Sequence, residues 1–424
     1  MSKPQAQPNT SPRFAPYIRG ELGQYKNVGL LTAIALVIVF FGMPLAFIAA
    51  LNLGIDENNV FVGIWAITLI YALWLESKIR PKAKIGAPHI AALLLFLIGV
   101  PGIIVSSPAN VLQIFLLISF IFILIARMAI MFIFIPRCLT ESRTSPAMII
   151  VRTLLYSSAF VSAFNSVYFA SIGFTIFNSI RGAPQNWLHP NLISLLGSLC
   201  VMMTVIDPKL KMPSRLFFGS IGVYTMLMAQ GRTAIFSTII VLILIFMLEL
   251  VHEPKKYAPK VALWGTLLAI VLSLATPLIL NIPAVQNIQK RNEAADPLAG
   301  RENYVAAALD AWRESQIFGF GFRSGTLDNF YAVMLLQTGI VGLMIYLAFF
   351  FMCAIRGYTL FKSRNPQTKL LGKTIIILAM SFVIRSFTEG TTILQLTDLP
   401  ANAFCLAVGL SFLIDPKSDK WANS

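Results

Sequence analysis

The sequence predicts an all-α, polytopic membrane protein with about twelve transmembrane helices and one long outer loop that contains a short helix. Three observations predict it. Of 424 residues, 57% are apolar and only 12% are charged, whereas a water-soluble domain carries roughly 45 to 50% and about 25%. The apolar residues fall into runs of about 17 to 26, long enough to cross a hydrocarbon layer of about 30 Å at 1.5 Å per residue. Finally, the runs are continuous, unlike the roughly ten-residue alternating segments of a barrel, and only a helix then satisfies its own backbone hydrogen bonds in lipid. Soluble enzymes, DNA-binding proteins and disulfide-stapled secreted domains are excluded.

Residues 1–27, rich in Pro, Ser and Gln, read as a flexible cytoplasmic tail. The run 28–53 is too long for a signal-peptide core and no small-residue cleavage site follows it, so it is expected to be an uncleaved first helix. Spans are then expected at 60–75, 88–106, 110–135, 146–172, 190–206, 214–230, 232–251 and 261–281, giving nine helices within 28–281. A large loop, 282–326, comes next, and three spans at 327–352, 371–387 and 399–414 make up the segment 327–414. Residues 415–424 form a second cytoplasmic tail. Cys138, Cys200, Cys353 and Cys405 have no metal-binding spacing and are expected in the core without a disulfide.

The net charge of +15 does not call for a nucleic-acid partner, because the basic residues sit in short loops between apolar runs. By this assignment 23 of the 33 lie on one side, which is therefore cytoplasmic and holds both termini. The outward set is Arg181, Arg232, Lys290, Arg291, Arg301, Arg313, Arg323 and Arg385. Seven of these eight are Arg, whereas fifteen of the inward 23 are Lys. Topology needs only positive charge; gripping phosphate oxygens two at a time needs the guanidinium fork. An anionic, phosphorylated ligand on the outer face is the functional inference. The alternative is that these arginines merely solvate loops.

Within the large loop, Pro297 and Gly300 mark the start of an outer helix of about 14 residues with Arg301 in its first turn, where the guanidinium and free backbone N–H groups would converge on an anion. Gly319-Phe320-Gly321 follows as an exit turn. Asp328-Asn329 stands at the mouth of the next span, able to orient a sugar hydroxyl and take its proton, or simply to cap the helix. Gln230-Gly231-Arg232-Thr233 joins two spans so tightly that Arg232 is held at the membrane surface, where a ligand or an acid such as Glu389 or Asp328 must pair with it. His189 precedes Pro190, itself suited to the first helical position, and is a further candidate for contacting a hydroxyl. Arg152 is placed to snorkel to the inner surface, and Arg127 lies deeper. No metal pattern, phosphate loop or nucleotide fingerprint is present, so no cofactor is expected. The asymmetry of nine spans before the loop and three after it, without an internal repeat, disfavours a two-halved transporter.

Taken in order, Gly231-Arg232-Thr233 at the start of a mid-chain span, Gly300-Arg301, Trp312, Gly319 and Gly321 in a long outer loop, then Asp328-Asn329, nine residues, Gly339, two residues and Gly342 resemble the O-antigen ligase and polymerase superfamily of bacterial inner membranes. The resemblance covers about 180–350 best. It implies a lipid-dependent glycosyltransferase of the GT-C type that takes a glycan from undecaprenyl pyrophosphate, with the active site facing the periplasm. In the ligases two arginines grip the pyrophosphate, and these correspond to Arg232 and Arg301. A His-Asn pair there serves the acceptor. Here Asp328 stands before Asn329 in place of the His, which favours polymerisation of O-antigen or exopolysaccharide repeat units over transfer to lipid A core.

The expectation is thus a polymerase in which Arg232 and Arg301 stabilise the leaving pyrophosphate and Asp328 deprotonates or orients the acceptor. Asn329, Arg181, His189, Arg323, Arg385 and Glu389 would bind substrate. The alternatives are an O-antigen ligase and a lipid-linked glycan transporter or flippase. Expected partners are the undecaprenyl-pyrophosphate-linked oligosaccharide, membrane lipid, and other assembly proteins such as a flippase and a chain-length regulator, with no nucleic acid.

Overall fold

The computed structural model describes residues 85–98, 129–140, 145–171, 190–259, 280–293, 301–320, 329–387 and 399–414, with a few isolated positions between them. These residues are helical, and no β-strand occurs among them. The helices are α1 (Ala87–Leu97), α2 (Ile135–Thr140), α3 (Pro146–Ser171), α4 (Pro190–Ile206), α5 (Met212–Met228), α6 (Arg232–His252), α7 (Pro283–Glu293), α8 (Arg301–Trp312), α9 (Phe330–Phe361), α10 (Pro366–Arg385) and α11 (Leu399–Ser411). A π turn, Ile130–Phe134, leads into α2. Proline opens α3, α4 and α10, where its missing N–H has no intrahelical partner to lose.

Four of these helices, α3, α6, α9 and α10, are long and apolar enough to cross a membrane. With α4 and α11 as shorter apolar helices, they support an all-α polytopic membrane fold. The expected first and second spans, the last part of the third, most of the fourth, and nearly all of 261–281 lie outside the described residues.

The packing follows from small residues and aromatic rings. Helices α4 and α5 touch backbone to backbone: a Cβ on Gly197 would lie 2.7 Å from the Gly222 carbonyl, and one on Gly222 would lie 2.6 Å from that of Gly197. Small residues are the means by which helices approach so closely in lipid, where apolar side chains gain little by leaving the tails. Gly409 of α11 sits against the Phe132 carbonyl in the π turn in the same way. Between α9, α10 and α11, Phe349, Phe350, Phe382 and Phe404 form one aromatic cluster, with Phe350 and Phe404 stacked at 5.5 Å. Cys200, Cys353 and Cys405 are buried free thiols in this interior.

Two boundaries differ from the sequence reading, both because charged residues turn out to be internal partners. Helix α9 continues to Phe361 rather than ending near 352. The cation that argued for an end there, Arg356, donates to the carbonyls of Ser411, the last residue of α11, and of Ile414 just past it. Helix α10 starts at Pro366 rather than near 371, because Lys369 and Lys373 pair with Glu253 and Glu249 of the neighbouring chain stretch. Arg152 does not simply snorkel: its Nε donates to Asp207 Oδ2 at 3.3 Å, just past α4. In the large loop the short helix expected at 301 runs for 12 residues. A second one, α7, was not anticipated, since its sequence PAVQNIQKRNE is too polar to register as a periodic apolar segment.

Candidate functional site at the Arg232 end

The helices alternate in direction, so Arg152, Asp207, Glu249, Glu253, Lys369 and Lys373 gather at one end of the bundle. The starts of α4, α6 and α9 and the finish of α10 form the other. It is this second end that assembles the candidate residues the structure describes.

The α5–α6 connection is the first element of the site. Gln230 has φ +50°, rare for a residue with a side chain, and is buried. The Gly231 N–H reaches back to Met226 O at 3.2 Å, and the Arg232 N–H to Gln230 O at 3.1 Å. Glycine is required at 231 because a Cβ there would lie 2.3 Å from the Cβ of Ser194. The turn is thereby pressed onto the first turns of α4. Arg232, half-buried, opens α6 at its positive end.

Arg385 arrives from α10. It is 1% exposed, and its Nη2 donates to Asn191 O at 3.1 Å. The same carbonyl accepts the Ser194 hydroxyl at 2.9 Å. One carbonyl in the first turn of α4 therefore ties Arg385 to the serine against which Gly231 packs. The Gly231 turn, which leads into Arg232, and Arg385 of α10 thus meet the same first turns of α4, and a helix N-terminus is suited to an anion.

The start of α9 is sewn to the end of α10. Asn329 caps α9, its Oδ1 accepting from Ala332 N at 3.1 Å, and its Nδ2 donates to Phe387 O at 3.0 Å. The Phe330 N–H donates to Ser386 O at 2.9 Å, and the Tyr331 hydroxyl to Val383 O at 2.9 Å. Both ends of the Asn329 amide are thus engaged by the protein, in the capping role its type favours.

The outer loop is locked into α9 at a break. Gly339 has φ +65° inside the helix, and Gly319 of the loop has φ +64°. In a regular helix the Ile340 N–H would donate to Leu336 O. Instead Ile340 N donates to Gln316 O at 3.0 Å, and Leu336 O accepts from Phe320 N at 2.7 Å. The exit turn of the loop thus takes over both groups the break releases. A Cβ on Gly339 would lie 2.2 Å from Ile317 O, and one on Gly319 would lie 2.5 Å from Leu336 O. Both glycines of the sequence motif are therefore explained by close backbone approach as well as by φ. The break also resolves a length problem: 32 residues of straight helix would run about 48 Å, whereas 340–361 alone spans about 33 Å.

Helix α8 rides on the first part of α9, with Ala308 against Ala332 and Leu336. Trp312 fixes the exit turn through Nε1 to Gln316 O at 2.9 Å. Arg301 is the first residue of α8. Asp328, Arg181, His189, Arg323 and Glu389, like Arg127, lie outside the described residues. Sequence reasoning missed Asn191 and Ser386, which act through backbone carbonyls and leave no side-chain signature.

No curated protein matches the chain. A family model described as O-antigen ligase matches residues 217–347. The match begins within α5 and ends just past the break in α9, so it takes in Arg232, Arg301, Asp328, Asn329, Gly319, Gly339 and Gly342, and leaves out Arg385. Residues 217–347 are thus similar to the O-antigen ligase family, which supports the O-antigen ligase and polymerase superfamily as the relationship of this membrane protein.

Proposed function

We propose that the protein is a glycan polymerase that acts on lipid-linked oligosaccharides at the periplasmic face of the bacterial inner membrane. It would transfer the growing glycan from undecaprenyl pyrophosphate to a sugar hydroxyl of another lipid-linked unit. The observation that carries this reading is that the Gly231 turn leading into Arg232 and the Arg385 guanidinium both meet the first turns of α4, within a membrane bundle whose 217–347 segment matches a family model described as O-antigen ligase. Charge grows on the pyrophosphate as the glycosidic bond breaks, and preplaced guanidinium groups with helix N-termini stabilise that growth.

In this reading Arg232 and Arg301 hold the pyrophosphate and Asp328 takes the acceptor proton or orients its hydroxyl. Asn329 keeps the α9 mouth in register with α10. Arg181, His189, Arg323, Arg385 and Glu389 surround the substrate. A ligase acting on lipid A core is the second reading, favoured by the family description; the aspartate at 328 favours polymerisation.

The test uses purified protein in lipid with lipid-linked repeat units as sole substrate. A ladder of longer glycans is expected. Asp328→Asn keeps the side-chain size and leaves the Asn329 cap in place, and should lower transfer by about 10² to 10⁴ if the carboxylate is a general base. A ladder of undiminished yield from Asp328→Asn would remove Asp328 from the chemistry. A second reaction supplied with lipid A core as acceptor separates the readings: glycan transferred to the core, with no ladder in either reaction, would establish the ligase.

A further inference from the structure

Ile317 and Phe318 stand apart from the polar stretch that leads to them. They follow Arg313-Glu314-Ser315-Gln316 in the exit turn of the large loop, a loop expected from the sequence to lie outside the membrane. Ile317 is 57% exposed and Phe318 is 44% exposed. In water, two adjacent large apolar side chains would forgo the gain that burial brings. The turn is also held too firmly to fold over them. On one side of the pair Gln316 O accepts from Ile340 N at 3.0 Å, and on the other Phe320 N donates to Leu336 O at 2.7 Å. From within, Trp312 Nε1 donates to Gln316 O at 2.9 Å and Ser315 Oγ to Gly319 O at 2.8 Å.

The depth of the turn follows from the span to which it is locked. Below the break, Ile340, Met344, Leu347, Phe351 and Ile355 recur every three or four residues on one face of α9, and all five are exposed. On a helix that crosses a membrane, such an apolar face is the one turned to lipid. At the inner end Lys362 caps α9, with its Nζ 4.3 Å from the centroid of the Tyr358 ring. A lysine and an aromatic ring together mark a boundary between membrane and water. Counted outward from there, a hydrocarbon layer of about 30 Å takes up about 20 residues and ends within a turn of Ile340. Any tilt of the helix moves that boundary further out, toward the break. Since Ile340 N is bonded to Gln316 O, Ile317 and Phe318 sit at the boundary, beside the outermost member of the lipid-facing stripe. Arg313 and Glu314, one turn earlier in the chain, are exposed and charged, as contact with headgroups and water requires.

We propose that Ile317 and Phe318 insert into the outer leaflet as a wedge, with the acyl chains of phospholipid as their partner. The exit turn then belongs to the membrane-embedded body of the protein rather than to its outer loop. Because the lock has already ordered the turn, insertion loses little further conformational entropy. Helix α8 ends at Trp312, shortly before the pair, so the wedge holds that end of α8 at the headgroup level, where tryptophan gathers in membrane proteins. The inference stands on exposure and depth and is independent of the chemistry proposed for the Arg232 end.

The experiment uses the full-length protein in nanodiscs of phosphatidylcholine whose acyl chains carry bromine as a quencher. Ile317→Cys, Phe318→Cys, Glu314→Cys and Phe351→Cys are each made in a Cys138→Ser background, the other three native cysteines being buried, and labelled with an environment-sensitive fluorophore. The labels at 317 and 318 should emit to the blue of the label at 314. Bromines near the headgroup end of the chain should quench them more than bromines near its terminus, as befits a depth of about 5 to 10 Å. The label at 351, about 16 Å further in than Ile340, should show the reverse order, and the label at 314 should be quenched by neither. A second measurement needs no substitution: wild-type protein irradiated with a phospholipid that carries a photoreactive group on its acyl chain should be modified at 317–318 and not at 313–316. Water-like emission at both positions, unquenched by bromine, would leave the turn outside the membrane and overturn the proposal. Blue emission without quenching would show the pair covered by protein, a second copy of this chain included, and would overturn it as well. So would photolabelling of the α9 stripe that spares 317–318.

Discussion

The two ends of the bundle are held together by different chemistry. At the Asp207 end, cations of one helix meet carboxylates of another: Arg152 with Asp207, Lys369 with Glu253, Lys373 with Glu249. In these pairs side chains carry the contacts and the charges neutralise one another, while Arg215 and Arg356 nearby donate to backbone carbonyls. At the Arg232 end, backbone carbonyls carry them. Asn191 O receives Arg385, Ser386 O receives the Phe330 amide, Phe387 O receives Asn329, and the loop exchanges backbone hydrogen bonds with the break in α9. Carbonyls orient a guanidinium without cancelling its charge. Among the described residues, the Asp207 end thus joins its helices through ion pairs and the Arg232 end through hydrogen bonds to the backbone.

This contrast breaks first at the arginines. Arg232→Lys and Arg301→Lys keep the charge but lose the planar fork, and each should reduce polymer formation by about 10²-fold or more at unchanged protein level. Near-normal ladders from both would mean that the Arg232 end is held by its guanidinium groups rather than holding a substrate with them.

The next largest effect is steric. Gly339→Ala introduces a Cβ that meets the Ile317 carbonyl at 2.2 Å, at a φ of +65°. It should cost about 3 to 5 kcal/mol, read as loss of the folded fraction in detergent and faster proteolysis of the 301–320 segment. An unaltered protease pattern would show that the loop is not locked into the break.

At the opposite end the ion pairs predict a different signature. Lys373→Met leaves Glu249 largely buried without its partner and should destabilise by about 2 to 3 kcal/mol, whereas Lys373→Met/Glu249→Leu should recover most of that loss. A double variant as unstable as the single one would indicate that the pair contributes net stability rather than balancing its own burial.

The smallest effect is a pH dependence. Hydrogen bonds from Lys369 and then Lys256 hold the Glu253 carboxyl down at about 2. A depressed carboxylate contributes stability that is present above its unfolded value, near 4.3, and lost as pH falls through 2. Glu253 is partly exposed, so the contribution is at most about 1 kcal/mol. Wild type should therefore lose that increment between about pH 4.5 and 2 while Glu253→Gln does not; identical acid transitions would remove the pair from the account.

How much was legible in the sequence also differs between the ends. Spans α3, α4 and α6 were read to within a residue or so because their apolar runs stop at proline or charge. The ends of α9 and α10 were not, since Arg356, Lys369 and Lys373 look like solvent boundaries until their partners are seen. The pair Gly319 and Gly339 was recognisable as a spaced motif, but the exchange of hydrogen bonds that demands both glycines is a three-dimensional fact. Arg385 could be assigned to one face of the membrane by charge counting; its burial against Asn191 could not.

The lock at Gly339 has a bearing on how the chain reaches this arrangement. Gln316 and Ile340 are separated by only 24 residues, while the Lys373 to Glu249 contact spans 124 and the Asn329 to Phe387 contact 58. Loop-closure entropy rises with separation, so the broken helix and its loop can unite as a local unit before distant helices have met. The outer loop would then arrive at the rest of the bundle already folded against its own span, and α8 would be carried into place by the helix it rides on rather than searching for it.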